Sequence, residues 1–246
     1  MKETLAAGDK FKFSCHKGLS CFGQCCRNVN IFLTPYDVLR LKNRMKLSSE
    51  EFLSKHTTTL ISQISGLPVV ALKMQDDENR SCPFITPEGC LVYTDRPWSC
   101  RMYPLDMESE EKYHFITDRS FCRGLNENRE WAVNEWFLDQ GINDYEDKEA
   151  PFKELSANIK LLRQKVENDK IVQMFHMACY DLDKFRRFVF ESRFLDTFDI
   201  EKEVVEKIKT DELELMKLGF KWINFGMVDK KALKIKDEVL QDKKRG

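Results

Sequence analysis

The sequence lacks most of the features that announce a function. It has no run approaching the roughly 20 apolar residues that cross a bilayer, so no membrane span is expected. Its formal net charge is only −1, from 40 basic and 41 acidic residues. A global field drawing in DNA, RNA or an anionic membrane is therefore excluded, and no nucleic acid is expected as a partner. Glycine is scarce, with 10 in 246 residues, and no GxGxxG fingerprint, P-loop, GxSxG elbow or HExxH pair is present. The opening "MKETLAAGDKFKF" has neither an apolar core nor a small-residue cleavage site, so a cytoplasmic location is expected. No Gly/Ser-rich linker and no internal repeat divides the chain.

Cysteine is what the chain does have. Eight of its nine cysteines lie between Cys15 and Cys122, and only Cys179 falls outside. In a reducing compartment such thiols are metal ligands or redox groups rather than a disulfide framework. The spacing is C-x5-C-x3-C-C over Cys15, Cys21, Cys25 and Cys26. Fifty-five residues later it continues as C-x7-C-x9-C over Cys82, Cys90 and Cys100, then Cys122. Thiolates suit zinc and iron–sulfur clusters. Four complete a tetrahedral zinc site or hold one cluster, so eight leave room for two centres, or for one centre with reactive thiols beside it. The spacings miss the C-x2-C knuckles usual for structural zinc. The neighbours Cys25 and Cys26 diverge, which suits two irons or two sites better than one small ion. An iron–sulfur cluster, [4Fe–4S], is the favoured cofactor, with zinc as the alternative. The tight C-x3-C-x2-C of radical enzymes and the C-x2-C-x2-C-x3-C-P of bacterial ferredoxins are both missing.

Arginine recurs beside these cysteines: Arg27 after Cys26, Arg101 after Cys100, Arg123 after Cys122. A four-thiolate centre is anionic, and guanidinium groups nearby would stabilise it, so Arg27, Arg101 and Arg123 are the candidate cofactor-binding residues. His16 is a possible substitute ligand, more simply a solvent-exposed neighbour. His176 and Cys179 share a helical face and are more simply core residues. Trp98 and Tyr103 are expected to cover the cysteines.

Local signals fill in the rest. Thr34-Pro35 begins a helix, Ser48 and Glu51 form a capping box, and "LPVVALKM" reads as a strand. "CPFITPEGCLVY" reads as a hairpin turning at Glu88-Gly89, "TDRPWSCRMYP" as a single helical turn and "KYHFITD" as a short strand. After residue 126 the pattern is helical. "NREWAVNEWFLDQG" ends at Gly141, and an apolar stripe runs Phe152, Leu155, Ile159, Leu162, Val166. Asp181 caps another helix, a break is expected near Thr210, and the tail "KIKDEVLQDKKRG" reads as a frayed helix. The fold class is α+β, mostly helical: a small cysteine-rich metal-binding domain with short strands over 1–126, packed on a C-terminal helical domain over 127–246.

The blocks "SCFGQCC" and "CPFITPEGCLVYTDRPWSCRMYPL" resemble the YkgJ-type cysteine-cluster family, a zinc- or iron-chelating CxxCxxCC domain. The resemblance runs over roughly 11–125. It rests on Cys21, Cys25, Cys26, Cys82, Cys90 and Cys100, with Arg96, Pro97, Arg101 and Pro104 around them and Cys15 and Cys122 as outer members. The C-x3-C-C here is one residue longer than the family's tighter form. The same domain resembles part of flagellin lysine N-methylases, which implies a metal-dependent protein lysine methyltransferase as one alternative. A zinc-binding structural or metal-handling protein is another. The favoured expectation is a metal-binding protein with a structural or redox role alongside a protein partner. Whether the chain is an enzyme, and its oligomeric state, stay open.

Overall fold

A computed structural model describes residues 4–109, 111–162, 165–239 and 241. Helices and short antiparallel strands make it α+β. The chain folds into two compact units, each built from two stretches: residues 1–44 with 71–147, and residues 45–70 with 148–246. The boundary expected at 126/127 falls inside the first unit. The reason is a long-range pairing: the strand Glu130–Ala132 runs antiparallel to Lys10–Lys12, with Trp131 opposite Phe11. A helix was expected over the start of this segment, but its partner strand is more than a hundred residues away in sequence and no local pattern reports it. The helix itself begins at Val133 and ends at Asp139, followed by Gly141 at φ 66°.

The first unit's core is aromatic. Trp136 meets Phe11, Phe13 and Trp131 edge-to-face, with ring centroids 6.1, 5.3 and 5.3 Å apart. Pairs of this kind add about 0.5–1.5 kcal/mol each beyond area burial. The Trp131 indole N–H donates to the Phe13 carbonyl at 2.9 Å, so the buried polar edge is satisfied. A three-stranded sheet, ordered Thr4–Leu5, Lys112–Phe115, Leu105–Ser109, flanks this core. The helix Pro35–Met45 starts where Thr34 and Pro35 indicate. The Thr34 hydroxyl accepts from the Asp37 N–H, and Asp37 accepts from the Thr34 N–H. The other Asp37 oxygen accepts from the Trp98 N–H at 2.9 Å and fixes the short helix Trp98–Met102. Burial pushes the Asp37 carboxyl up to about 6.

In the second unit the capping box forms as expected: Ser48 Oγ accepts from the Glu51 N–H at 3.2 Å and the Glu51 carboxylate accepts from the Ser48 N–H at 2.9 Å. Ser48→Ala is expected to lower this unit's stability by about 1 kcal/mol, measured by urea unfolding. Asn168, Asp181 and Asp211 cap the helices Asp169–Cys179, Leu182–Glu191 and Glu212–Met227. The last two of these caps fall where Asp181 and the break near Thr210 indicate. Phe185, Phe188, Phe194 and Trp222 pack into one aromatic cluster. Gly219 lets the final helix approach Ala178, since a Cβ there would stand 2.4 Å from the Ala178 carbonyl oxygen. The helix Ile142–Leu161 starts ten residues before the apolar stripe and runs through Pro151. The expected tail helix lies partly outside the described residues, at 240 and 242–246. Among the described residues no helix is long and apolar enough to cross a membrane.

Candidate metal centre

Two backbone devices gather the cysteines of the first unit. Gly23, at φ 77°, starts the 3₁₀ turn Gln24–Cys26 that presents the adjacent pair. The strand-like stretch that follows then pairs with the next block: the Cys82 N–H donates to the Cys26 carbonyl at 2.8 Å, and Arg27 bridges to Ser81. From Cys82 the chain enters a tight hairpin, Ile85–Thr86 against Gly89–Cys90, turning over Pro87-Glu88, one residue earlier than expected. The helix Trp98–Met102 carries Cys100 back toward it. On the other side, the Ser14 N–H donates to the Gly124 carbonyl at 3.0 Å. Gly124 has no room for a side chain, because a Cβ would lie 2.9 Å from Ser14 O. That contact sets the turn after Cys122 against Cys15. The Arg123 N–H donates to Cys21 Sγ at 3.2 Å and closes the group.

Electrostatic coupling sorts the eight thiols into two neighbourhoods. Burial pushes Cys15 up to about 11, and Cys25, Cys122 and Cys21 add to it. Cys26 is raised as it hydrogen-bonds to Cys25, with Cys82 and Cys100 among its further neighbours. Burial raises Cys82 to about 11, with Cys90 and Cys25 contributing, and it raises Cys100 too, with Cys82, Asp37, Cys90 and Cys25 adding to it. One neighbourhood thus holds Cys15, Cys21 and Cys122, the other Cys26, Cys82, Cys90 and Cys100. Cys25 interacts with both. Backbone N–H groups counteract the burial: those of Phe84 and Ile85 serve Cys82, Val92 serves Cys90, and Gly124 and Leu125 serve Cys122. Such donors favour thiolate over thiol, the form that ligates metal.

A cavity of about 670 Å³ opens among these groups. Cys15, Cys25, Cys26, Cys82, Cys90 and Cys100 line it, together with Phe13, Tyr103, Trp131 and Trp136. Tyr103, expected to cover the cysteines, forms part of this wall and hydrogen-bonds Cys122. Trp98 instead donates its indole N–H to Glu146 at 2.9 Å. Among the described residues no three His, Cys, Asp or Glu side chains stand together as a site that could hold a metal ion. The fit of a metal group rests on the donor chemistry and on this room: softly donating sulfurs, N–H groups aimed at them, and a recess larger than one ion.

The arginines divide differently from expectation. Arg101 is buried and spends its guanidinium on the carbonyls of Arg96 (3.0 Å), Gln140 (2.7 Å) and Thr94 while lying over the Tyr145 ring. Arg123 is exposed and donates its side chain to the Arg119 carbonyl, so only its backbone reaches a cysteine. Arg27 buries its Nε without a hydrogen-bond partner. Arg96, which stands six residues after a cysteine, lines the cavity instead. His16 lies outside the thiol group, with Nδ1 accepting from the Gly18 N–H and Nε2 3.6 Å from Glu127. Cys179 belongs to the second unit's core, fully buried and with its thiol raised by that burial.

Residues 14–123 match the CxxCxxCC family. Its description is "Putative zinc- or iron-chelating domain". The CxxCxxCC match begins one residue before Cys15 and ends one after Cys122, so it takes in all eight clustered thiols and agrees with the resemblance read from the cysteine blocks. Metal binding by this part of the chain is supported on that ground. No curated protein and no solved structure gives a significant match.

Proposed function

We propose that the first unit holds an iron–sulfur cluster, of the [4Fe–4S] kind, through Cys26, Cys82, Cys90 and Cys100. Cys15, Cys21 and Cys122, joined by Cys25 from between the two neighbourhoods, would make a second four-thiol set able to hold a metal of its own. The observation that carries this reading is the recess of about 670 Å³ faced by six thiols, which offers room for a multi-atom cluster. The adjacent pair Cys25-Cys26 gives one sulfur to each set. The cluster would supply one-electron chemistry or a rigid cross-link; what the chain's own residues do is hold and shield it. Trp131, Trp136, Tyr103 and Phe13 limit water in the recess. The Phe84, Ile85 and Val92 N–H groups orient and stabilise the sulfurs. Loading releases the protons that burial keeps on these thiols. The role in a reducing compartment is structural or redox, exercised with a protein partner.

Metal and acid-labile sulfide analysis, with a UV–visible spectrum of protein purified without oxygen, tests this. Iron with sulfide in about equal amount and broad thiolate–iron absorption is the expected result. A colourless protein carrying zinc and no sulfide would replace the cluster with a zinc centre, the other chemistry the family description names.

A further inference from the structure

Arg96 is 8% exposed, and a guanidinium keeps its proton even when buried. It is held from several directions. One Nη donates to the Tyr93 carbonyl, the other to Gln140 Oε1, and the group lies 3.9 Å over the Tyr93 ring. Gln140 is also buried and is itself fixed, its amide donating to Asp139 at 2.7 Å and its carbonyl accepting from Arg101. None of Arg96's hydrogen-bond partners is a carboxylate. The acidic groups that act on it are Tyr93, Cys100 and Cys90. A buried cation without an opposing carboxylate is costly unless another anion faces it.

We propose that Arg96 is the counter-cation of the Cys26/Cys82/Cys90/Cys100 set once that set is metal-bound, and that Arg101 acts through it as a positioning residue. Four thiolates around a dicationic metal group leave about two negative charges in the recess, and Arg96 lies on the cavity wall with Cys90 and Cys100. Arg101 reaches no thiol in this way; its Nε holds the Arg96 carbonyl at 3.0 Å and its Nη1 holds Gln140, the clamp on the Arg96 side chain. This inference rests on the metal reading above.

The test compares the parent full-length chain, loaded with metal, with Arg96→Met, Arg96→Lys and the exposed-strand control Lys112→Gln. Metal release to excess EDTA and thermal melting by circular dichroism are followed in parallel. Arg96→Met is expected to release metal on the order of 10-fold faster or more, with Arg96→Lys intermediate and Lys112→Gln unchanged. With iron bound, Arg96→Met also moves the reduction potential down, since the reduced centre loses its balancing charge. Equal release from parent and Arg96→Met overturns the proposal. So does an equal acceleration in Arg96→Met and Arg96→Lys that tracks an equal loss of melting temperature, because that is packing alone. A parent that binds no metal overturns the metal reading as well, whereas a loaded parent matched by Arg96→Met overturns this inference only.

Discussion

Replacing Cys26 with serine is expected to remove about half of the bound metal and leave the rest in place. Serine is a far poorer ligand for zinc or iron than thiolate, and Cys26, which is coupled to Cys82 and Cys100, is proposed above as a ligand of the same centre as they are. Pairs of substitutions make the prediction sharp, because residues acting as one unit are not additive. Cys26→Ser with Cys100→Ser should cost no more metal than either alone. Cys26→Ser with Cys122→Ser should cost all of it, since Cys122 couples to Cys15 and Cys21. Metal per chain, measured after gel filtration, decides. Complete loss from any single serine variant would mean one centre spanning both neighbourhoods.

The second large effect concerns the helical unit. Phe185 is fully buried and meets Phe188, Phe194 and Trp222. Phe185→Ala empties the middle of that cluster and is expected to cost about 3–5 kcal/mol, with a fall in melting temperature of roughly 10 °C or more. Gly219→Ala should act in the same direction by a different route, overpacking against the Ala178 carbonyl, at about 1–3 kcal/mol. Thermal unfolding followed by far-ultraviolet circular dichroism, to which the helices of this unit contribute, reports both. An Ala variant at 185 that melts with the parent would remove the aromatic cluster as the unit's main source of stability.

What could be read from the chain alone was local. Thr34 with Pro35, Ser48 with Glu51 and Asp181 each act within one helical turn, so the residue types suffice to place those helix starts. The cysteine blocks were legible because their chemistry is carried by the residues themselves. Three things were not. Glu130–Ala132 is a strand only because Lys10–Lys12 lies beside it, and periodicity cannot see across that distance. The first ten residues of the helix Ile142–Leu161 carry no apolar stripe of their own. The direction of a guanidinium was equally invisible. Arg101 follows Cys100 in sequence, yet a helical turn sends its side chain toward Gln140, while Arg96, from the turn before that helix, enters the recess. Adjacency along the chain says little about which way a long side chain points.

The interleaving of the two units has a consequence for how the protein is made. Residues 45–70 belong to the second unit, and the first is not complete until residue 147. Cys15 and Cys21 leave the ribosome about a hundred residues ahead of Cys122, the neighbour they end up beside, which at about 5–20 residues per second is several seconds or more. Throughout that interval the early thiols lack both Cys122 and the wall of Trp131 and Trp136. Oxidation and stray metals find them most open then, so nascent chains depend on the reducing capacity around them until the last aromatic residues arrive and the recess can form.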